Sequence, residues 1–409
     1  MKKFSIISIT LTILILSQPG WSDWMSVGPD GGYIQAMAMD PSNPLIMYAI
    51  PYGEVTPRVQ KTTDGGQSWY EIGQINYRTI YNLAVDPHDG NYIYASCRSN
   101  RIFRSTDAGV TWDYVALPYY GYYLAADPHN PGRVYVAGYS RPSTLNQMTI
   151  FISTNYGQSW SSVVVDTDTT SVGYSCTVDP SDSGKVYIAG SLGRVFKSTD
   201  NGNTWTLCNN GMPSNGVTYA LAVNPGDSDM IMAGLTSYGV YRTTNKGDTW
   251  IQTGTMSPIY YLAYSPGSPN IGYAAYNMVY MTTDYGATWF IPNPGLYFTY
   301  AKGFVPHPDS GDIAYACGSS GIFRTDDGGT NWATAHTGMR ISSITTISVN
   351  AQNPQNVYLE MDEIAVFKST DCGNIWERCS DFLSCGNICG IGIVPGVESD
   401  ILYALEGKG

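Results

Sequence analysis

Eight segments of this chain repeat one spacing of hydroxyl, Asp, Gly and Trp, and a pattern that recurs at a steady interval leaves few folds open. The clearest copy is Ser198-Thr199-Asp200-Asn201-Gly202-Asn203-Thr204-Trp205; the others occupy 62–69, 105–112, 153–160, 243–250, 282–289, 325–332 and 369–376. Successive Trp residues, from Trp69 to Trp376, lie 43, 48, 45, 45, 39, 43 and 44 positions apart. That interval falls in the range of a propeller blade.

The box has a mechanical reading. An Asp in a tight turn accepts bonds from nearby backbone N–H groups, and a Gly two residues later takes the positive φ that strains other residues. The Trp that opens the next strand is a large apolar wedge to be buried between neighbouring sheets. Six copies carry the Asp, at Asp64, Asp107, Asp200, Asp284, Asp327 and Asp371, while Asn155 and Asn245 replace it in the other two. Asn331 and Ile375 replace the second hydroxyl. Such drift suits a structural staple, so these Asp residues are assigned to the scaffold and not to chemistry.

A second motif precedes each box. Leu83-Ala84-Val85-Asp86-Pro87 followed by Tyr92-Ile93-Tyr94-Ala95 is one copy, and Thr177-Val178-Asp179-Pro180 followed by Val186-Tyr187-Ile188-Ala189 another. Both halves read as strands flanking a polar turn, and a third strand leads into the box while a fourth starts at its Trp. The chain is therefore expected to be all-β, a propeller of four-stranded antiparallel blades. Eight full repeats occupy about 33–382, which predicts eight blades, with seven or nine as alternatives. Trp24-Met25-Ser26-Val27 resembles a fourth strand without its box. Gly392-Ile393-Val394-Pro395 and Ile401-Leu402-Tyr403-Ala404 resemble the first two strands of a ninth blade, and the third is missing before Gly409. The propeller is thus expected to span 23–409 and to be a piece of a longer protein.

The first 22 residues read as a secretory signal peptide: Lys2 and Lys3, an apolar run over 6–16, then small residues at Gly20 and Ser22. The run is too short to span a bilayer and no second one of spanning length follows, so a secreted or cell-surface protein without membrane insertion is expected. Removing the leader takes the formal charge from −12 to −14, which makes nucleic acid and anionic membrane poor partners. With 33 Tyr and 44 Gly, the balance describes a turn-rich β protein with an aromatic surface. Cys97, Cys176, Cys208 and Cys317 are scattered over different repeats and suit buried thiols or bridges equally; Cys372, Cys379, Cys385 and Cys389 cluster, which favours a local bridge over a zinc site. No cofactor motif or His pair at metal spacing is present in the sequence.

The boxes together with the Asp-Pro half-repeats resemble the Asp-box (BNR) propeller superfamily, which includes sialidases, two-propeller xyloglucanases, sortilin-type receptors and the photosystem II assembly factor. The resemblance covers nearly all of the chain after its leader and implies the scaffold, since these relatives share it and differ in chemistry. The opening 24–48, with Gly31-Gly32 and Asp40-Pro41-Ser42-Asn43-Pro44, is most similar to the start of a xyloglucanase propeller. Where those enzymes carry an Asp after the Tyr-Ala pair, this chain has Tyr48-Ala49-Ile50-Pro51-Tyr52-Gly53-Glu54, so the catalytic Asp of that family has no match here.

A Tyr stands five positions before the Asp-Pro slot in five successive repeats: Tyr81, Tyr122, Tyr174, Tyr219 and Tyr260. At a rise of about 3.3 Å per residue, five residues carry the strand about 16 Å from the turn, to the opposite rim of the central channel. Tyr119, Tyr120, Tyr123, Tyr261, Tyr297, Phe298 and Tyr300 are expected at the same level. Tyr rings offer flat apolar faces and a hydroxyl, suited to a glycan or an extended peptide, and equally to filling a wide channel. Carboxylates on that rim would be Glu54, Asp166, Asp168, Glu360, Asp362 and Glu363. If an eight-bladed ring closes, Glu54 faces Asp362 or Glu363, weak candidates for a glycosidase pair. The sequence thus favours an exported binding module for glycan or protein without a cofactor; a glycoside hydrolase related to xyloglucanases is the alternative, and a structural spacer of a larger surface protein the third reading.

Overall fold

The computed structural model describes residues 33–52, 56–97, 99–141, 146–168, 170–276, 278–292, 301–319, 321–335, 344–349, 355–361, 365–370, 377–378, 388–394 and 401–406. Among them the regular structure is strand, apart from one 3-10 turn at Ser191–Gly193. Each repeat folds into a small antiparallel sheet in sequence order, four strands in most and three in the sixth.

The boxes fold as the sequence predicts, with one addition. In the copy at 198–205, the Ser198 hydroxyl accepts the Gly202 N–H at 2.8 Å and donates to the Asp200 carboxylate, also at 2.8 Å. That carboxylate accepts the Thr204 N–H at 2.8 Å and the Thr204 hydroxyl at 2.6 Å. The left-handed backbone takes two residues, not one: Asn201 at φ 62° precedes Gly202 at φ 86°, and Ala108, Tyr156, Lys246 and Tyr285 repeat the first of these in other boxes. Asp371 lies outside the described residues. In all seven boxes from 62–69 to 325–332, the N–H of the fourth residue donates to a carbonyl in the blade's own first turn, at 2.9 to 3.0 Å. Box and Asp-Pro turn therefore share one face of every blade.

The staple is also a titration. Bonds from the Thr204 hydroxyl, then the Thr204 N–H and the Ser198 hydroxyl, hold the Asp200 carboxyl down to about 2 from the ordinary 3.8. A carboxyl depressed in the folded state stabilises above its unfolded value and loses that contribution as pH falls through the folded one. Asn155 spans the same turn with a carboxamide, its oxygen accepting the Ser159 N–H at 3.0 Å and its amide donating to the Ser159 hydroxyl at 2.9 Å. Asp200→Asn is accordingly expected to fold normally, and to lose less stability than the parent between about pH 3.8 and about 2. Urea midpoints measured across that range check it; an unchanged acid slope would contradict the assignment.

Neighbouring sheets are locked by a relation that repeats around the ring. A fully buried Tyr of the second strand lies under the box of the following blade: the Tyr135 hydroxyl donates to Asn201 O at 3.3 Å. At some seams the box Trp also reaches the preceding blade: the Trp250 indole donates to Cys208 O at 2.8 Å, whereas those of Trp112, Trp205 and Trp332 donate to the Gly carbonyl of their own boxes. Blade one applies the same two contacts to blade seven. Tyr315 donates to Gly65 O at 2.7 Å, and Trp69, 3% exposed, donates to Ala335 O at 2.8 Å. Ile34, Met37, Met47 and Ala49 share one core with Tyr315, Cys317 and Ile322.

The ring therefore closes at seven blades, over Ile34–Asp40 to Ala333–Thr334, and not at the eight expected. Repeat eight packs its strands Ile344–Val349 and Val357–Met361 against Ile388–Val394, which pairs with Ile401–Glu406 as the first two strands of a further blade. Trp24 and Val27 lie outside the described residues. Closure covers the apolar sheet faces that an open stack would leave bare at its two ends.

Blades two and three are fused. Asp113–Ala126 is a single 14-residue strand that serves as the last strand of one and the first of the other, so the two make one seven-stranded sheet. Its middle, Gly121, pairs with Ser99 on one side and Gly138 on the other. Both glycines are needed by close approach: a Cβ on Gly138 would stand 2.1 Å from Tyr120 O, and one on Gly121 2.5 Å from Val136 Cγ1.

Candidate functional site at the tyrosine-lined mouth

The rim opposite the boxes is shaped by a fault in the strand ladder that every blade repeats. The pairing of first with second strand slips between Ile34 and Ala36, Ile80 and Asn82, Gly121 and Tyr123, Gly173 and Ser175, Thr218 and Ala220, and Ala301 and Gly303. In blade six, Tyr260 donates its N–H to the same Ala275 that pairs with Tyr261. The extra residue of such a bulge leaves the in-and-out alternation, and its side chain is re-aimed. Around the ring these residues are Gln35, Tyr81, Tyr122, Tyr174, Tyr219, Tyr260 and Lys302.

The five tyrosines named from sequence touch one another in order. Ring centroids are 6.3 Å apart for Tyr81 and Tyr122, 5.3 Å for Tyr122 and Tyr174, 4.6 Å for Tyr174 and Tyr219, and 4.8 Å for Tyr219 and Tyr260. Tyr276 extends the arc 4.9 Å from Tyr260, while Tyr139 joins it 6.2 Å from Tyr122 and stacks on Tyr120. All five are half-buried and Tyr120 is exposed. Burial, then the neighbouring phenols of Tyr174, Tyr260 and Tyr81, pushes Tyr219 up to about 12, and burial pushes Tyr123 up to about 12 as well. The phenols thus stay neutral at physiological pH and present hydroxyls that donate and accept.

Other expectations fall out differently. Tyr119 packs into the core between blades two and three, away from the arc. Tyr123 and Tyr261 lie deep, both raised by burial. Tyr297, Phe298 and Tyr300 lie outside the described residues, as do Glu54, Asp362 and Glu363, and the side chain of Glu360. The pairing of Glu54 with Asp362 or Glu363 required repeat eight to sit beside blade one, and blade seven occupies that place. Asp166 and Asp168 are both bound by Arg194, Asp168 at 2.6 Å, a structural ion pair that ties the link before blade four to its own hairpin. Cys97, Cys176, Cys208 and Cys317 are buried free thiols, the last three pushed up to about 12 by burial. The other four Cys side chains lie outside the described residues.

Sequence reasoning missed Tyr139, Tyr276 and Tyr52, each at the exit of a second strand, with the Tyr52 ring 4.7 Å from that of Tyr33 and tilted against it. Their signal was the residue following the apolar run of that strand. It also left Gln35 and Lys302 unread, although both occupy the slot of the five tyrosines.

A model of the Sortilin-Vps10 family, described as sortilin, neurotensin receptor 3, matches residues 148–266. A xyloglucanase of Paenibacillus sp is 32% identical over 127 residues, which is 27% of this chain and 12% of that enzyme. Among solved structures, an ancestral GH74 enzyme matches with a TM-score of 0.71 at 18% identity, over 95% of this chain and 60% of the enzyme. The GH74 xyloglucanase from Xanthomonas campestris matches with a TM-score of 0.63 at 15% identity, over 87% and 68%. YCF48 from Cyanidioschyzon merolae gives 0.52 at 17%, over 75% and 99%. The chain's match thus spans about an eighth of the curated relative, and the chain covers somewhat under two thirds of the first of these structures. At such identities the solved structures speak for the fold alone.

Proposed function

We propose that this chain, whose repeats and fold are similar to those of Asp-box (BNR) β-propellers, a scaffold that carries unrelated chemistries, is an exported binding module that grips a glycan across its tyrosine-lined mouth. The observation that carries this reading is the unbroken arc from Tyr81 to Tyr260, built from one bulged position repeated in five consecutive blades. Sugar rings have apolar faces that lie against aromatic ones and hydroxyls that bond to neutral phenols, and an arc of several rings suits several consecutive sugars.

Titrating the chain against arrays of soluble polysaccharides and of extended peptides tests the proposal. Retention of at least one glycan, with peptides silent, is the expected result; retention of peptides alone overturns it in favour of a polypeptide ligand.

A second reading is glycoside hydrolysis, favoured by the local identity to a xyloglucanase. Incubation with β-glucans separates the two, since a binding module leaves the reducing ends constant. Release of reducing sugar that Glu54→Gln abolishes would establish the hydrolase.

A further inference from the structure

The tyrosine slot has seven places in the ring, and the two that break the pattern are adjacent, in blades seven and one. Gln35 is turned out of the mouth: it is 3% exposed, its amide donates to Pro51 O at 3.0 Å, and its oxygen accepts the Ile80 N–H at 2.9 Å. It seals the seam between blades one and two. Tyr33, its ring tilted against that of Tyr52, lies in the same blade. Lys302 holds the last place, with its ammonium 5.7 Å from the centre of the Tyr33 ring.

That cation is in an unusual position. It lies on the first strand of blade seven, within the same bulge that aims Tyr81 and its companions at the axis. Burial pushes its ammonium below the ordinary lysine range, and the nearby Cys317, held neutral as a thiol by its own burial, supplies no counter-charge. Among the described residues no carboxylate pairs with it, and the face of Tyr33 is its cationic contact. Among the described cations Arg194 is paired with Asp166 and Asp168 and Lys185 with Asp179 and Asp182, while Lys61, over the ring of Tyr48, shares with Lys302 an aromatic contact but lies outside the tyrosine slot. A desolvated charge without a counter-charge costs stability, and a fold keeps one where something else supplies the counter-charge.

We propose that Lys302, seated on Tyr33, is an anion subsite at the end of the tyrosine arc, so that the ligand is an acidic glycan whose carboxylate meets Lys302 while neighbouring sugars lie on the tyrosines. This rests on the glycan reading above and narrows it to uronic-acid-type or carboxylated chains. The overall charge of −12 sharpens the selection. Charges more than about 8 Å away are largely screened at physiological salt, so attraction of a carboxylate falls to cations at the mouth itself, and Lys302 is the one that stands in the slot of the tyrosines. Arg would serve a planar bidentate contact; Lys offers a compact charge that a single carboxylate oxygen can approach.

The test uses pairs of probes that share a backbone: carboxymethylcellulose against hydroxyethylcellulose, and polygalacturonate against its methyl ester. The chain is expected to bind an acidic member at least tenfold tighter than its neutral counterpart. Lys302→Met is expected to weaken the acidic probe by about tenfold to a hundredfold, the range for losing a charged hydrogen bond, and the neutral one by less than threefold. Lys302→Arg should keep the preference. Thermal unfolding monitors folding, and Lys302→Met should hold or raise the midpoint because it removes a desolvated charge. Equal affinity for the members of each pair, or a preference that survives Lys302→Met, overturns the anion subsite. If neutral glycans bind and lose affinity on loss of the tyrosines but not of Lys302, the glycan reading stands and this inference fails; if neither probe of any pair binds, the glycan reading itself fails.

Discussion

Trp69→Ala is expected to be among the most damaging single substitutions in the chain, costing about 3–5 kcal/mol as truncations of buried aromatics do. Trp69 is 3% exposed, packs into the core shared by blades one and seven, and donates across the closure to Ala335 O. Its loss opens a cavity and also breaks the one seam held by residues from opposite ends of the ring. Trp205 provides the control. Its indole donates to Gly202 O within its own box and it is only half-buried, so Trp205→Ala should cost clearly less. Urea unfolding followed by tryptophan fluorescence compares the two. Equal losses would mean that blade one does not close on blade seven.

The second large effect is on binding. The triple variant Tyr122→Ala, Tyr174→Ala, Tyr219→Ala is expected to lose glycan affinity by about a hundredfold or more. Each aromatic face contributes about 1 kcal/mol of ring contact beyond its buried area, and 1.4 kcal/mol is a factor of ten. The three single variants are not expected to add up, because Tyr122 and Tyr219 both touch Tyr174 and removing one ring frees the next to move. All three are half-buried at the rim, and the interblade cores lie elsewhere, so the unfolding midpoint should move little. Binding that survives in a folded triple variant would reduce the arc to channel filling. Collapse of the fold with loss of binding is resolved by Tyr174→Phe, which keeps the ring and removes only the hydroxyl.

The sequence carried the blade and the rim with little ambiguity. A hydroxyl, an Asp and a Gly at fixed offsets specify a turn through bonds within eight residues, and the five tyrosines share an offset from a turn that is equally local. The number of blades is a different kind of quantity. All repeats but the fifth, which has Met232 in that place, offer the same Tyr to the next box, so Tyr315 is as suited by sequence to the box of repeat eight as to Gly65 in blade one. What decides is the angle accumulated between sheets, which no single repeat encodes. The left-handed pair in the boxes escaped for a related reason: Ala108, Tyr156 and Lys246 do not advertise positive φ, and the turn imposes it on whichever residue stands there. Lys302 and Gln35 were legible, since they occupy the tyrosine slot. A search for what recurs passes over the two places where the recurrence stops.

The shared strand Asp113–Ala126 has a consequence for how such a chain can be altered. Repeat proteins change length by gaining or losing whole units at their joints, and circular permutants are made by opening a joint and sealing the old termini. Between the second and third blades there is no joint to open, because the backbone crosses from one to the other without leaving the ladder. Those two units can be duplicated, deleted or excised only as a couple, and they should exchange their amide hydrogens with the solvent on one common schedule.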